Sequence, residues 1–250
     1  MFPIEQLSAS LFPLIAHRGA SALAPENTLV AFRKAREIGA RWVEFDVMLA
    51  ACGTPVIIHD ETLDRTTNGR GNVSDYPYSY LKTLDAGSWF DPRFAGEKIP
   101  TLAELIELLH SEQLSAHVEI KPARGKEKQT VEKVLQVIEQ CWRKDMLPPL
   151  ISSFSRTVLY EVRRCSPASL LGLLMHDWEA NWEVVCDELS CVSVHVNQKI
   201  LDPKKAKRIK ATNRLLLVYT VDDVKRARDL FSWGVDAIFS NCPDNMWVFL

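Results

Sequence analysis

Short strand-like runs alternate with helical patterns along the chain, and this alternation predicts a (β/α)8 barrel. Three observations support the prediction. Eight apolar, β-rich runs are separated by amphipathic stretches, the length of 250 residues matches the ~250 usual for this fold, and polar side chains gather where the runs end. Because barrel enzymes carry their active sites at the carboxyl ends of the strands, the third observation also indicates where function resides.

The predicted strands are short apolar runs bounded by polar or turn-forming residues. Histidines, carboxylates or a lysine lie at or near the ends of several of them, which places those side chains at one end of the barrel. We predict strands at Leu14–His17, Arg41–Val47, Ser115–Lys121, Leu150–Ser153, Ser169–Leu174, Cys191–Val196, Leu215–Val221 and Asp236–Ser240.

The predicted helices occupy the amphipathic stretches between these runs. Asn27 and either Asp222 or Asp223 are candidate N-caps, and Gly39 and Gly234 are candidate C-terminal stops. We predict helices at Asn27–Ile38, Leu102–Ser111, Lys126–Trp142, Arg156–Cys165, Trp182–Leu189, Pro203–Lys210 and Val224–Trp233.

Residues 60–100 interrupt the alternation. They are rich in Gly, Asn, Asp, Tyr and Pro, and no ten-residue window in them keeps a helical period. Such a length is too great for a plain loop between a strand and a helix. We therefore predict a single barrel domain over residues 1–250, with residues 60–100 as a small insertion after the second strand.

The composition is that of a soluble globular protein. Hydrophobic residues make up 47% and charged residues 25% of the chain, and a formal net charge of −2 argues against nucleic acid or an anionic membrane as partner. The six cysteines lack Cys-x-x-Cys spacing, so we expect reduced, buried thiols. Residues 1–12 lack a signal-peptide pattern, and no run approaches the ~20 apolar residues of a membrane helix. We expect a cytoplasmic protein.

Acidic side chains at strand ends predict a metal site. Glu44 and Asp46 are two residues apart in a strand and therefore share one face, and Glu119 lies near the end of the third predicted strand. Adjacent carboxylates need a cation or a proton between them, and hard oxygen ligands suit Ca²⁺ or Mg²⁺. The structural alternative is a set of ion pairs with Arg18 and Lys121.

Two histidines flank these carboxylates. Cys52-Gly53 marks a turn, so residues 43–49 and 55–59 are predicted to form a hairpin that brings His59 roughly opposite Asp46. His17 ends the first strand, and Arg18 follows it. Histidine suits general acid–base catalysis because its pKa lies near neutrality, although a lone histidine at a strand end is more often structural. The cluster indicates metal-assisted chemistry on an anion.

A series of short motifs follows these residues in a fixed order. Each tetrapeptide is weakly specific by itself, whereas the ordered set is highly specific. The motifs are His17-Arg18-Gly19, Pro25-Glu26-Asn27-Thr28, Glu44-Phe45-Asp46-Val47, His59-Asp60, Leu63-Asp64-Arg65-Thr66-Thr67, Asp85-Ala86-Gly87-Ser88-Trp89-Phe90, Ile99-Pro100-Thr101-Leu102, Glu119-Ile120-Lys121-Pro122 and Ser152-Ser153-Phe154. From about Leu14 to Asp236, the chain resembles the glycerophosphodiester phosphodiesterases, and most closely their small cytosolic bacterial members.

The resemblance implies a TIM barrel, an insertion that caps the substrate side, and roles for five residues. Glu44, Asp46 and Glu119 correspond to the family's metal ligands, which would hold Mg²⁺ or Ca²⁺. His17 and His59 correspond to its catalytic pair. The resemblance further implies hydrolysis of glycerophosphodiesters to an alcohol and sn-glycerol 3-phosphate, a reaction of glycerol and lipid metabolism.

The mechanism that the resemblance implies proceeds through a cyclic phosphate. One histidine takes a proton from the glycerol hydroxyl adjacent to the ester, and that oxygen attacks phosphorus. The other histidine protonates the departing alcohol, and water then opens the cyclic phosphate. By this analogy His17 is the base and His59 the acid, an order that the sequence alone does not establish. Arg18 and Lys121 are the predicted phosphate partners.

The remaining candidates rest on position alone. Ser153 ends the fourth predicted strand and is a candidate for the substrate pocket. Phe154, Trp89 and Tyr219 are candidates for the walls of that pocket. Aromatic residues near strand ends more often serve packing. His195 alternates with apolar residues, so we expect it to point into the mouth of the barrel. It is therefore a candidate for substrate contact.

Three further positions have their own interpretations. His117 lies on the same strand face as Glu119 but one step deeper, which indicates a supporting or core role, and His176 is interpreted as an ordinary loop residue. The family usually has asparagine where this chain has Asp222. We interpret Asp222 as a helix cap; the alternative is weaker phosphate binding or a less anionic substrate.

Other functions compete with the leading one. A lysophospholipase D or another phosphodiesterase acting on membrane substrates would need an apolar or basic docking face, and none is evident outside the insertion. A non-catalytic phosphodiester-binding barrel is expected to have lost a histidine or a carboxylate, and this chain keeps all five. A nucleic-acid enzyme is disfavoured by the near-neutral charge. We expect small soluble glycerophosphodiesters as substrates and a monomer or homodimer.

Overall fold

Eight parallel strands close into a barrel with helices on its outside, which confirms the predicted (β/α)8 fold. The computed structural model describes residues 4–246. Going round the barrel, the strand order is β1-β9-β8-β7-β6-β5-β4-β2, and the pairing of β1 with β2 closes the ring. The strands are β1 (Leu14–His17), β2 (Trp42–Leu49), β3 (Pro55–Ile57), β4 (Ser115–Ile120), β5 (Leu150–Ser153), β6 (Leu170–Met175), β7 (Ser193–Asn197), β8 (Leu215–Tyr219) and β9 (Ala237–Ser240).

Each predicted element is present, with limits that differ by no more than two residues from those observed. Helices α1, α3 and α10 were not predicted. The helices are α1 (Ile4–Ser10), α2 (Leu29–Glu37), α3 (Tyr78–Leu81), α4 (Leu102–Glu112), α5 (Glu127–Cys141), α6 (Arg156–Cys165), α7 (Trp182–Glu188), α8 (Pro203–Lys210), α9 (Val224–Ser232) and α10 (Pro243–Met246), with single 3-10 turns at Val73–Asp75 and Pro92–Phe94.

The amino-terminal end of the barrel is closed by an apolar plug. Ile15, Trp42 and Leu150 point inward from their strands and are fully or almost fully buried. Leu7 of α1 packs into the same cluster, and the indole N–H of Trp42 donates to the carbonyl of Ser10 at 2.9 Å. A buried tryptophan contributes a large apolar area when its N–H finds a partner, as it does here. Access to the interior is therefore from the opposite end, where the strands reach their carboxyl termini.

The ends of the helices confirm some predicted signals and contradict one. Asp223 caps α9 by accepting from the backbone N–H three residues on, at 2.7 Å. Gly39 and Gly234 follow α2 and α9 with φ of 91° and 88°, the left-handed conformation that ends a helix. The prediction that Asn27 caps α2 is wrong. Its side chain instead donates to Asp46 at 2.9 Å, because the chain turns there with φ of 58° and directs the amide into the barrel.

The predicted hairpin is confirmed and supports the insertion. β3 pairs antiparallel with β2, Val47 opposite Ile57. Residues 58–100 then leave the barrel before α4 begins. Leu63 and Leu81 of this segment share an apolar cluster with Met48 of β2, so the insertion packs on the hairpin.

All six cysteines are free, as predicted. Only Cys186 and Cys191 are buried, whereas Cys52 and Cys165 are exposed, so the expectation of mostly buried thiols is wrong. Among residues 4–246, no helix combines the length and the hydropathy needed to cross a membrane.

Candidate active site

Three carboxylates converge at the carboxyl ends of β2 and β4. Glu44 and Asp46 project from the same face of β2, and the strand register places Asp46 beside Glu119 of β4. One carboxylate oxygen from each residue lies within 4.8 Å of the others. Hard oxygen donors grouped in this way suit a divalent cation. The three residues therefore form a candidate metal site.

The ionisation of this cluster also favours a cation. Burial, followed by the negative charge of Asp46, raises the pKa of Glu119 to about 8. Burial and the same neighbour raise the pKa of Glu44 well above its usual value. A divalent cation offsets both effects because it stabilises the ionised form of each carboxylate. The donor set thus fits a hard divalent cation in both geometry and charge.

Two basic side chains face Asp46. Arg18 Nε lies 3.4 Å from one carboxylate oxygen of Asp46, and Lys121 Nζ lies 3.6 Å from the other. Burial opposes the ionisation of Asp46, but the positive charges of Arg18 and Lys121 outweigh it and lower the pKa. The ion pairs considered as the structural alternative are thus present. They also hold both cations within reach of an anion at the carboxylate cluster.

A tight bend after β1 brings the backbone of Arg18 to the cluster. The N–H of Arg18 donates to Glu44 Oε2 at 3.0 Å, and its φ of 55° is unfavourable for a residue with a side chain. Gly19 continues the bend with φ of 81°, and a Cβ there would lie 2.7 Å from the carbonyl carbon of Ala31. The glycine of the His-Arg-Gly motif is therefore required by both conformation and space.

His17 is held in one orientation by Asn241. Nδ1 of His17 lies 2.7 Å from Oδ1 of Asn241, which also accepts from the hydroxyl of Ser21 at 2.9 Å. Because that oxygen only accepts, Nδ1 carries the proton and Nε2 is left with a free lone pair, 3.8 Å from Glu44. Burial, followed by the positive charge of Arg18, lowers the pKa of His17 to about 4. The geometry therefore gives a neutral imidazole with its basic nitrogen in the pocket.

Asp222 supports this arrangement and does not cap a helix, so that interpretation is wrong. It accepts from the side-chain amide of Asn241 at 2.7 Å and from the Asn241 backbone N–H, also at 2.7 Å. The hydroxyl of Ser240 donates to the same carboxylate at 3.0 Å. The side-chain contact determines which end of the Asn241 amide faces His17. Asp223, and not Asp222, caps α9 because only its carboxylate reaches the first turn.

His59 is oriented by a second carboxylate. It follows the hairpin directly, where the N–H of Ile58 donates to the carbonyl of Asp46 at 3.1 Å. Nδ1 of His59 lies 2.6 Å from Asp60, and Arg65 holds Asp60 with hydrogen bonds of 2.7 and 3.0 Å. Burial lowers the pKa of His59, while the negative charge of Asp46 opposes that change. The hydrogen bond to Asp60 leaves Nε2 of His59 available to the pocket.

A cavity of about 280 Å³ joins these groups. His17, His59, Glu44 and Glu119 all line it, together with Arg18. An adjoining groove of about 330 Å³ shares Glu119 and Phe154 with it and contains Lys121 and Ser153. The structure therefore brings together all seven residues predicted to act as metal, catalytic or phosphate groups.

The other predicted pocket residues are divided. Phe154 and Tyr219 line the cavity with their rings 6.0 Å apart. Ser153 lies in the adjoining groove and donates to the carbonyl of Ile120 at 2.7 Å. His195 does not reach the mouth of the barrel: it is buried below the cavity, paired with Ser193 at 2.8 Å, because its strand position is one layer deeper than expected. Trp89 is 38% exposed on the insertion and does not line the cavity.

Three residues of the site were missed in the sequence analysis or assigned a lesser role there. Asn241 directly follows β9, and His176 directly follows β6 and lines the cavity at its rim. The rule that sites form at strand ends would have selected both positions. His117, interpreted as a supporting or core residue, lines the cavity itself. Its position on the same strand face as Glu119 was the available signal.

Comparison with known proteins gives consistent matches over the chain. The model of the "Glycerophosphoryl diester phosphodiesterase family" matches residues 17–245. A glycerophosphodiester phosphodiesterase of Caldanaerobacter subterraneus is 36% identical over 234 residues, covering 93% of this chain and 95% of that protein. One from Bacillus subtilis is 30% identical and covers 95% of this chain and 86% of its own length.

Solved structures give the same result. An Oleispira antarctica phosphodiesterase, determined in complex with the product sn-glycerol-3-phosphate, superposes with a TM-score of 0.93 and 37% identity, covering 95% of this chain and 96% of that one. A glycerophosphodiester phosphodiesterase of Agrobacterium tumefaciens has a TM-score of 0.75 and 29% identity, with coverage of 94% and 99%.

Proposed function

The chain belongs to the glycerophosphoryl diester phosphodiesterase family, and we propose that it is a metal-dependent enzyme that hydrolyses glycerophosphodiesters to an alcohol and sn-glycerol 3-phosphate. One observation carries the proposal. A single cavity of about 280 Å³ is lined by two histidines with free Nε2 atoms and by two of the three clustered carboxylates, Glu44 and Glu119. We further propose that the barrel and its insertion work as one domain, because the insertion packs on the β2–β3 hairpin next to the site.

We propose that Glu44, Asp46 and Glu119 hold the cation, Mg²⁺ or Ca²⁺. Such a cation supplies Lewis-acid polarisation of the phosphoryl group when bound. Arg18 contributes a planar guanidinium and Lys121 a compact ammonium, which suit the phosphate oxygens. Their contacts with Asp46 place both groups beside the cluster.

The proposed chemistry uses the two histidines as base and acid. Nε2 of His17 takes the proton from the glycerol C2 hydroxyl, whose oxygen attacks phosphorus. His59 acts as an imidazolium that donates from Nδ1 to Asp60, and it gives the proton on Nε2 to the departing alcohol oxygen as the bond from that oxygen to phosphorus breaks and a cyclic phosphate results. Water then opens this ring, with the two histidines exchanging roles. The Nδ1 hydrogen bonds to Asn241 and Asp60 support the proposal because they leave Nε2 of both rings for proton transfer.

The size of the cavity favours small soluble substrates over lysophospholipids. The cavity volume of about 280 Å³ is slightly below the ~300–1,000 Å³ of pockets that hold drug-sized ligands, so the cavity suits a short polyol arm. Phe154 and Tyr219 supply apolar walls for the carbon atoms of that arm. We propose glycerophosphocholine and glycerophosphoethanolamine as representative substrates.

The direct test is turnover of these two diesters by purified protein, with sn-glycerol 3-phosphate as the detected product. The protein is first treated with EDTA, and Mg²⁺ or Ca²⁺ is then restored separately. Glu44→Gln removes a ligand charge at constant size, and Glu37→Gln makes the same chemical change on the exposed face of α2. His17→Ala tests the base.

We expect the release of sn-glycerol 3-phosphate to depend on a cation. Release should be abolished in Glu44→Gln and His17→Ala and unchanged in Glu37→Gln. The cation that restores more activity is then the preferred one. Absence of sn-glycerol 3-phosphate release with either cation would refute the proposed function. Equal activity with and without EDTA would refute its metal dependence.

A further inference from the structure

His117 forms the floor of the catalytic cavity. It lies on β4, two residues before Glu119, on the same inward face of the strand. The strand register aligns His117 with Glu44 on β2, and Glu44 with His17 on β1. The imidazole therefore belongs to the same row of side chains as the proposed base, one step deeper than the third carboxylate of the cluster.

The imidazole of His117 has no hydrogen-bond partner in the described part of the chain. It is 1% exposed, and neither ring nitrogen is paired. The rings of His195 and Phe239 pack against it with centroids at 4.7 and 4.9 Å, contacts that satisfy its faces but not its nitrogens. His195 itself pairs one nitrogen with Ser193 at 2.8 Å.

An unpaired buried polar group carries a cost of ~1–3 kcal/mol, which a ligand can relieve by forming the missing hydrogen bond. A neutral imidazole offers one donor and one acceptor, as a hydroxyl group does. The neighbouring walls, Leu174 and Phe239, are apolar and suit carbon atoms. The floor of the cavity therefore matches a short carbon chain that ends in a hydroxyl group.

We propose that His117 binds the terminal hydroxyl of the substrate's glycerol arm, which becomes the C1 hydroxyl of sn-glycerol 3-phosphate. This inference rests on the proposed function, in which His17 serves the C2 hydroxyl. The terminal hydroxyl is one carbon further from phosphorus. With the phosphate at the carboxylate cluster, it therefore extends deepest into the cavity and meets the floor.

This contact explains how the site would select deacylated diesters. A terminal hydroxyl esterified to a fatty acid has lost its proton and cannot donate to His117. The acyl chain would also have to pass the floor, where His195 and the apolar plug around Trp42 fill the barrel. His117 is thus a specificity-determining residue for the glycerol arm.

The test is calorimetric binding to wild type, His117→Leu and His117→Asn, in the presence of the cation that supports turnover. The probes are sn-glycerol 3-phosphate, propane-1,2-diol 1-phosphate, which lacks only the terminal hydroxyl, and inorganic phosphate. Leucine removes both nitrogens at similar bulk, whereas asparagine keeps a donor and an acceptor.

We expect His117→Leu to bind sn-glycerol 3-phosphate about 10-fold more weakly and inorganic phosphate as wild type does. In wild type, loss of the terminal hydroxyl should weaken binding about 10-fold, and in His117→Leu this difference should vanish. His117→Asn should retain part of the difference in affinity between sn-glycerol 3-phosphate and propane-1,2-diol 1-phosphate.

Equal affinity of wild type for the two glycerol-type phosphates would overturn the inference, and this measurement needs no variant to fold. Equal losses for all three probes in His117→Leu would also overturn it, because they would indicate a general distortion. Both results can occur in a protein that releases sn-glycerol 3-phosphate from glycerophosphocholine. They are therefore distinct from failure of the proposed function, in which wild type releases none.

Discussion

Nδ1 of His17 and Oδ1 of Asn241 lie 2.7 Å apart, although 224 positions separate the two residues in the chain. The contact joins the first and last strands of the barrel, which are hydrogen-bonded neighbours. Asp222 holds the other end of the Asn241 amide at 2.7 Å and so prevents it from rotating. The chain of three residues keeps the proton of His17 on Nδ1.

We expect Asp222→Asn to lower kcat about 10-fold with little change in KM. When the oxygen of the substituted amide keeps the hydrogen bonds from Ser240 and the Asn241 backbone, its NH₂ group faces the NH₂ group of Asn241, so the orientation of the Asn241 amide is no longer maintained. Steady-state kinetics measure the effect, and thermal unfolding is recorded beside it. A loss of activity fully explained by unfolding would contradict a positioning role.

Exchanging the two residues provides the matched control. Asn241→Asp alone should be harmful, because it places two carboxylates at hydrogen-bonding distance. In the double variant Asp222→Asn/Asn241→Asp, the carboxylate at position 241 accepts from both His17 and the amide at position 222, so activity should recover. That carboxylate favours the imidazolium, which raises the pKa of His17 above about 4 and shifts the acidic limb of the kcat/KM profile to higher pH. If the losses of activity caused by the two substitutions were strictly additive in the double variant, Asp222 would not act on His17 through Asn241.

Asp60→Asn should lower kcat about 10- to 100-fold. Asp60 accepts from His59 at 2.6 Å, and a hydrogen bond to a charged group contributes ~1.5–3 kcal/mol. Asp229→Asn, the same change on an exposed position of α9, should leave kcat unchanged. Wild-type kcat in Asp60→Asn would show that His59 needs no such partner.

The EDTA-treated protein should lose stability as the pH is raised from about 6.5 to about 8, because below that range the buried His17, whose pKa is lowered from 6.5 to about 4, has the opposite effect. The pKa of Glu119 rises from 4.5 to about 8 on folding, mainly because the group is buried. Its contribution to stability is therefore complete below pH 4.5 and is lost as the pH approaches 8. Urea unfolding at several pH values measures this slope.

Two comparisons make the pH experiment specific. Glu119→Gln cannot ionise, so its stability should fall less steeply over the same range. Added Mg²⁺ or Ca²⁺ should restore wild-type stability at the alkaline end, because the cation binds only the folded cluster. If neither the substitution nor the cation changed the slope of unfolding free energy against pH, the carboxylate cluster would not be the origin of that slope.

Gly19→Ala should destabilise the fold more than Gly53→Ala does. Both glycines have φ near 80°, so both substitutions incur a conformational cost of ~1–2 kcal/mol. At Gly19 the new Cβ also meets Ala31 backbone atoms at 2.7 and 2.8 Å, whereas at Gly53 the nearest atom is a lysine carbon at 3.7 Å. Denaturant unfolding of the two variants should therefore differ by at least ~1 kcal/mol. Equal losses would show that the backbone near Ala31 can yield.

The parts of this protein that could be predicted depend on local patterns. Alternation of strand and helix signals is written in neighbouring residues, so the barrel could be inferred without knowing any contact. The pairing of Glu44 with Asp46 follows from the two-residue repeat of a strand. His195 and Asn27 were misplaced because their surroundings come from other strands, and local rules do not report depth in a barrel or the direction of a turn.

By itself the sequence determined the fold class, the strand ends and the residue types available for metal and acid–base chemistry, because periodicity and chain order encode all three. Only the tertiary structure decided which residue supports which. Asp222 acts on His17 through Asn241, Asp60 acts on His59, and His117 faces the cavity with unpaired nitrogens. The physical reason is closure of the barrel: it brings β1 against β9 and turns inward-facing side chains from distant parts of the chain into neighbours.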